Sequence, residues 1–327
     1  MRRGTAIALS IGLAAMAGAV VYAGIGAVAH AVATLRISGL TLLVLLHVPM
    51  VVLMGIAWWL ASGEHPPASQ SRFVWARFVR DAAGELLPTL QLGGILFGLR
   101  ALGRGRAITV GAVSASIDGV IELTAKLPYV FVALLILLAL APQNRLARLL
   151  SLALAATAAA VAILLYARRR LGASLQVIAR AVAARWPSVL SLHDPGGRDV
   201  QACFDRILAQ RGRLWSAFVV HLGCWCLGAA ELWVTFRLLG VDLTPWQALA
   251  IDGTVGGLRT FGLMIPAAAG VQEASYLLAA AVFGIPPPTA IAASFARRAR
   301  DLVLGVGTLG VAALGDANSA LLTHPRR

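Results

Sequence analysis

Apolar runs long enough to cross a bilayer recur along this 327-residue chain, and they leave few folds open to it. The stretch ISGLTLLVLLHVPMVVLMGIAWWL, residues 37–60, is one of several that reach the roughly 20 residues a transmembrane helix needs. Composition agrees: 59% of residues are hydrophobic and 13% charged, with a mean hydropathy of +0.81. A soluble domain averages about 25% charged residues. The expected fold is all-α and polytopic, one integral membrane domain over residues 1–327.

The formal net charge of +14 has to be read by position. On a soluble protein it would suggest nucleic acid, but no soluble basic domain is present to bind it. The arginines gather between apolar runs, the pattern that keeps loops on the cytoplasmic side. Such loops attract anionic headgroups, at about 1 kcal/mol per basic residue near the surface. Cys203, Cys224 and Cys226 make no disulfide framework and read as apolar thiols. The six histidines are scattered without HxxH or HExxH spacing, so no metal site is expected.

About six transmembrane helices and two re-entrant helical hairpins are expected. Residues 1–60 form an N-terminal helical hairpin, with a first span from about Thr5 to Ala29, read as uncleaved, and a second from Ile37 to Leu60. In SRFVWARFVRDAAGELLP, Phe73, Val74, Phe78 and Ala82 share one helical face and Arg72, Arg80 and Asp81 favour the other, which predicts an interfacial amphipathic helix. TLQLGGILFGLRALGRGRA is too short before Arg100 to cross and is interrupted by glycines, so a re-entrant hairpin is expected. A third span runs from Ser116 to Ala141, and the fourth ends at the basic YARRR. Residues 72–167 make a first repeat-like half, 171–213 a cytoplasmic amphipathic segment, and 214–315 a second half. In the second half a span from Leu214 to Leu239 is followed outside by Asp242 and Asp252, then by a broken segment and a last helix from Thr289 to Gly315. Both termini are expected in the cytoplasm.

Two segments echo each other. RDAAGELLPTLQLGGILFGLRALG and RTFGLMIPAAAGVQEASYLLAAAVFG each run from an arginine through Pro88 or Pro266 to Gly93–Gly94 or Gly270, then into a short apolar helix. In the expected topology they enter from opposite sides, the mark of an inverted repeat with a substrate path at its interface.

Charges fall inside the apolar runs: Asp118 and Glu122 four apart on the third span, Glu231 on the fifth, Glu273 in the second broken segment, and Arg297, Arg298, Arg300 and Asp301 early in the last helix. One charge at a helix centre costs about 2.5–3.5 kcal/mol on insertion scales. These groups must therefore pair inward or line a wet cavity, as structural ion pairs or as a functional site. Ends of broken helices and arginine forks suit an anionic headgroup. Asp118 and Glu122 could instead carry protons. No Walker A or GxSxG motif occurs and no GxGxxG follows a strand, so an enzyme is less expected and no cofactor is implied.

At WARFVRDAAGELLPTLQLGG, IPAAAGVQEASYLLAAAVFGIP and FARRARDLVLGVGTL the chain resembles the lysylphosphatidylglycerol synthase transmembrane (flippase-like) family. Its nearest likeness there is the hopanoid-biosynthesis-associated branch, and the three motifs run in order from about Trp75 to Gly310. The resemblance implies a bacterial inner-membrane protein that moves lipid between leaflets. Its expected partners are membrane lipids, an anionic phospholipid or a hopanoid, with lipid-biosynthesis enzymes or a second copy as further candidates. Better-known members carry an aminoacyl-transferase domain after this module, so lysyl transfer is not implied for a chain ending at Arg327. Where the family pattern has an acid after the paired glycines, this chain has Ile95, which shifts weight to Glu273. The expected binding or gating set is Glu273, Gly270, Pro266, Arg297, Arg298, Arg300, Asp301, Asp118 and Glu122, with Arg77, Arg80 and Glu85 at the cytoplasmic hairpin. Headgroup modification by an embedded enzyme, and a non-transporting scaffold, are the alternatives.

Overall fold

A computed structural model describes residues 3–86, 90–103, 106–140, 145–166, 197–262 and 268–323. Among these residues there is no strand. The α-helices are α1 (Arg3–Ala23), α2 (Ile25–Thr34), α3 (Arg36–Leu60), α4 (Gln70–Leu86), α5 (Leu90–Leu102), α6 (Arg106–Leu140), α7 (Arg145–Tyr166), α8 (Gly197–Leu208), α9 (Arg211–Leu238), α10 (Pro245–Leu258), α11 (Val271–Val282) and α12 (Pro287–Thr323). A 3₁₀ turn, Arg259–Gly262, extends α10.

By length and apolarity, α3, α7, α9 and the Val110–Leu140 part of α6 can cross a membrane. The expected first span is not one rod. It breaks at Gly24, whose φ of 87° favours glycine, and α2 leaves α1 at 88°. Counting that pair as one crossing gives five such spans among the described residues, where six were expected. The expected sixth, α12, is 37 residues long, but Arg297, Arg298, Arg300 and Asp301 fall within about its first four turns. α6 also begins well before Ser116.

Four helices recur in order. α3, α4, α5 and α6 have 25, 17, 13 and 35 residues. α9, α10, α11 and α12 have 28, 14, 12 and 37. Packing is reciprocal: α3 lies along α9, α12 packs on α4, and α6 packs on α10. Each long helix thus closes on the short pair of the other quartet. At about 1.5 Å per residue, α5 and α11 are roughly 20 Å long and cannot cross alone.

Local chemistry explains several of these elements. α10 starts where Thr244 accepts a hydrogen bond from the Gln247 amide (3.3 Å) while Gln247 Oε1 accepts from the Thr244 amide (2.9 Å), with Pro245 following as the first helical residue. The α4–α5 pair is close because Gly94 and Gly98 face α4. A Cβ at Gly98 would lie 2.9 Å from Arg80 Cβ and 3.0 Å from the Ala76 carbonyl.

α4 does not lie in an interface with a charged face outward. It is wedged among α3, α5 and α12, and Arg77 is buried at 4% exposure. Of its polar face, Arg80 and Asp81 meet protein partners, while Arg72 is exposed. The main core joins Tyr129, Leu150, Phe236, Ile251 and Tyr276 from α6, α7, α9, α10 and α11. A smaller one sets Trp58 edge-on to Phe73 at 5.4 Å, beside Leu99 and Leu102. Of the amphipathic segment at 171–213, residues 171–196 lie outside the described ones. In α8, Val200, Phe204 and Ile207 bury one stripe against Ile117 and Ala61.

Candidate functional site

The buried charges assemble into ion-paired clusters along the joint between the two quartets. α11 starts at Gly270, whose φ of 78° is left-handed, after Ala268 at φ 47°. That turn aims the first amides of α11 at the side chain of Glu273. The Gly270 amide donates to Glu273 Oε2 (2.8 Å) and the Ser294 hydroxyl to Oε1 (3.0 Å). Arg298 then closes on both oxygens, Nε to Oε1 at 2.7 Å and Nη2 to Oε2 at 3.1 Å. Glu273 is completely buried, and its contact with α12 crosses the second break in the chain. Pro266 and Pro88 lie outside the described residues.

One residue earlier on α12, Arg297 Nη2 donates to Asp252 Oδ1 at 2.6 Å, and Tyr129 of α6 donates to Oδ2 at 2.8 Å. Asp252 was expected outside, beyond the fifth span. It is instead 2% exposed on α10, where its apolar and glycine-rich surroundings pack against α6. Arg300 bonds Glu231 of α9 and also donates to Asp301 Oδ1 (2.6 and 3.0 Å). Nδ1 of His47, on α3, lies 3.0 Å from the other Glu231 oxygen.

The first quartet holds its own cluster. Arg77 donates to Asp81 (2.8 Å) and Glu122 (3.3 Å) and lies 3.6 Å from Asp118. Arg80 reaches Asp118 at 3.4 Å, and its guanidinium sits 5.7 Å from the centre of the Trp58 ring. His221 of α9 completes the group, Nε2 at 2.9 Å from Asp118 Oδ1. Glu85 is engaged separately, by Arg259 at 3.4 Å, which joins the two echoing segments directly.

Ligand atoms of Asp118, Glu122 and His221 come within 4.8 Å of one another, a spacing that could serve a metal. Both carboxylates, however, already face guanidinium groups, whose fixed charge opposes a divalent ion there. Every arginine of the expected set is held by a carboxylate, so an anionic group could enter only by displacing one.

Sequence reasoning placed Glu273 near the arginines of the last helix but missed Asp252, Tyr129, Arg259 and the two histidines as partners. One usable signal was position: His47 and His221 sit at similar depths in α3 and α9, which occupy the same place in the two quartets.

The lysylphosphatidylglycerol synthase TM region family matches residues 6–307 of the chain. No curated protein and no solved structure shows a significant match.

Proposed function

This chain belongs to the lysylphosphatidylglycerol synthase TM region family, and from that premise we propose that it moves a lipid between the leaflets of the bacterial inner membrane. An anionic phospholipid or a hopanoid-type lipid is the cargo in this reading, and both termini are cytoplasmic. The observation that carries it is the ion-paired joint between the quartets. Buried pairs are a poor way to hold helices together, because well-packed apolar residues of similar volume are often as stable or more so. Six such acids and five arginines along one joint favour groups that change partners.

The mechanism is alternating access about the α3–α9 contact. When one quartet tilts, Glu273 releases Arg298, or Asp252 releases Arg297, and the freed fork accepts headgroup phosphate oxygens in place of the carboxylate. The acyl or polycyclic part stays in lipid, so only the polar headgroup needs the protein path. The two quartets are an inverted repeat in this account, with the short pairs α4–α5 and α10–α11 as the moving gates.

The test is transbilayer movement of labelled lipids in vesicles reconstituted with the full chain. Faster movement of an anionic or hopanoid lipid than in protein-free vesicles supports the proposal. No acceleration for any lipid, with a modified headgroup appearing when a soluble donor is supplied, would point to an embedded enzyme.

A further inference from the structure

Lys126 sits near the middle of the apolar Val110–Leu140 stretch of α6 and is only 8% exposed. The arginines along the joint, Arg77, Arg297, Arg298 and Arg300, each hold a carboxylate at ion-pair distance. Among the described residues Lys126 holds none. Its ammonium donates to Thr260 Oγ1 at 3.2 Å and lies 5.2 Å from the centre of the Trp225 ring. An ammonium carries three N–H donors, so at least one is buried here without an acceptor among those residues.

The surroundings of this ammonium favour an anion. Glu122, one turn earlier on α6, and Asp252 of α10 act on it from beyond ion-pair distance. Both are committed elsewhere: Glu122 faces Arg77 at 3.3 Å, and Asp252 accepts from Arg297 and Tyr129. The remaining charge felt at Lys126 is a second cation, Arg259, one residue before Thr260 on the 3₁₀ turn. Arg259 reaches Glu85 through Nη2 alone, at 3.4 Å, and the rest of its fork is unused among the described residues. Two like charges beside one hydroxyl repel each other, and an oxyanion between them reverses the sign of that interaction. Gly256 keeps the α10 side open, since even a Cβ there would touch Trp225 Cζ3 (3.6 Å) and Lys126 Cε (3.8 Å). Arg259 and Thr260 are half-buried, which leaves a way in.

We infer that Lys126, Arg259 and Thr260 form a binding site for a phosphate oxyanion, a first station for a headgroup before any arginine of the joint is freed. The ammonium supplies a point charge and the guanidinium a fork. The Thr260 hydroxyl accepts from Lys126, so its own proton is free for the anion. The mid-span depth of Lys126, next to the broken segment that follows Thr260, matches where repeat-built transporters hold their substrates. A connection onward exists: Trp225 stacks on Tyr129 with ring centres 5.8 Å apart, and Tyr129 donates to Asp252, the partner of Arg297. That a lipid brings the phosphate rests on the transport reading above, whereas the site itself rests on its cations.

The test is thermal unfolding of the purified full chain in maltoside detergent with phosphatidylglycerol, diacylglycerol of the same acyl chains, or inorganic phosphate added. A saturable rise in the unfolding midpoint with phosphatidylglycerol, and none with diacylglycerol, is expected. Lys126→Met should need about tenfold more phosphatidylglycerol or worse, the loss of one charged hydrogen bond. Thr260→Val, which keeps the shape of the side chain, should weaken the response in the same direction. Without ligand, Lys126→Met should unfold at or above the wild-type midpoint, because it removes a charge that has no ion-pair partner. A lower midpoint, or failure to fold, would make Lys126 a strut and overturn the inference. So would a response unchanged in both variants, one matched by diacylglycerol, or none to either form of phosphate. A rise with inorganic phosphate that also depends on Lys126 would support the site and make free phosphate its ligand. The assay has no transport step, so failed binding leaves the lipid proposal to its own vesicle test, and absent lipid movement leaves the phosphate site standing.

Discussion

At the scale of single residues, Glu273 and Arg298 decide whether the buried charges are gates or struts. Glu273→Gln leaves Arg298 without its full charge partner, and breaking a buried pair costs about 3–5 kcal/mol. A lower unfolding temperature in detergent is the expected outcome. The double variant Glu273→Gln/Arg298→Met removes the unmatched charge, and part of the lost stability should return. Lipid movement should not return with it. If the double variant moves lipid like the wild type, the pair is a strut. Tyr129→Phe isolates a different contact, the hydroxyl that Asp252 accepts at 2.8 Å. Hydrogen bonds to charged groups are worth about 1.5–3 kcal/mol, so a moderate loss of stability is expected, measured by the same unfolding assay.

At the scale of elements, close helix contacts carry the load. Gly98→Leu would force a side chain into the Ala76 carbonyl and Arg80, and should split the α4–α5 pair. Size-exclusion chromatography should then show aggregated rather than monodisperse protein. Ala268 sits at φ 47° just before α11, where an L-residue other than glycine is strained by roughly 1–2 kcal/mol. Ala268→Gly should raise stability by a fraction of that, since glycine also loses more freedom on folding. Several of these elements could be read directly from the chain. The apolar runs locate α3, α7 and α9 because lipid solvation depends on composition alone. The bend at Gly24 could not be read, since a glycine in an apolar run fits a straight helix equally well. α4 was misjudged because periodicity reports that one face is polar but not whether water or Asp118 and Glu122 satisfy it. Asp252 was misplaced for the same reason, as its partners Arg297 and Tyr129 come from remote helices.

At the scale of the whole molecule, the account is a two-part machine. Two quartets pack reciprocally, each long helix closing on the other's short pair, with ion pairs filling the joint. The echo between the segments at Arg80 and Arg259 pointed to this, but the larger unit begins earlier, at α3 and α9. Helices as apolar as these carry too little sequence contrast for that boundary to stand out. In the proposed mechanism the short pair α4–α5 moves against α12, and one pair of positions lets that be tested. A Cβ at Gly305 would lie 3.0 Å from Leu86 Cγ, close enough for a disulfide in a Leu86→Cys/Gly305→Cys variant. With Cys203, Cys224 and Cys226 replaced by alanine, the measurement is the rate of transbilayer lipid movement before oxidation, after oxidation, and after reduction. The account predicts movement that stops when the disulfide forms and resumes when it is reduced. Movement at an unchanged rate in the locked protein, or none above protein-free vesicles in either state, would contradict it.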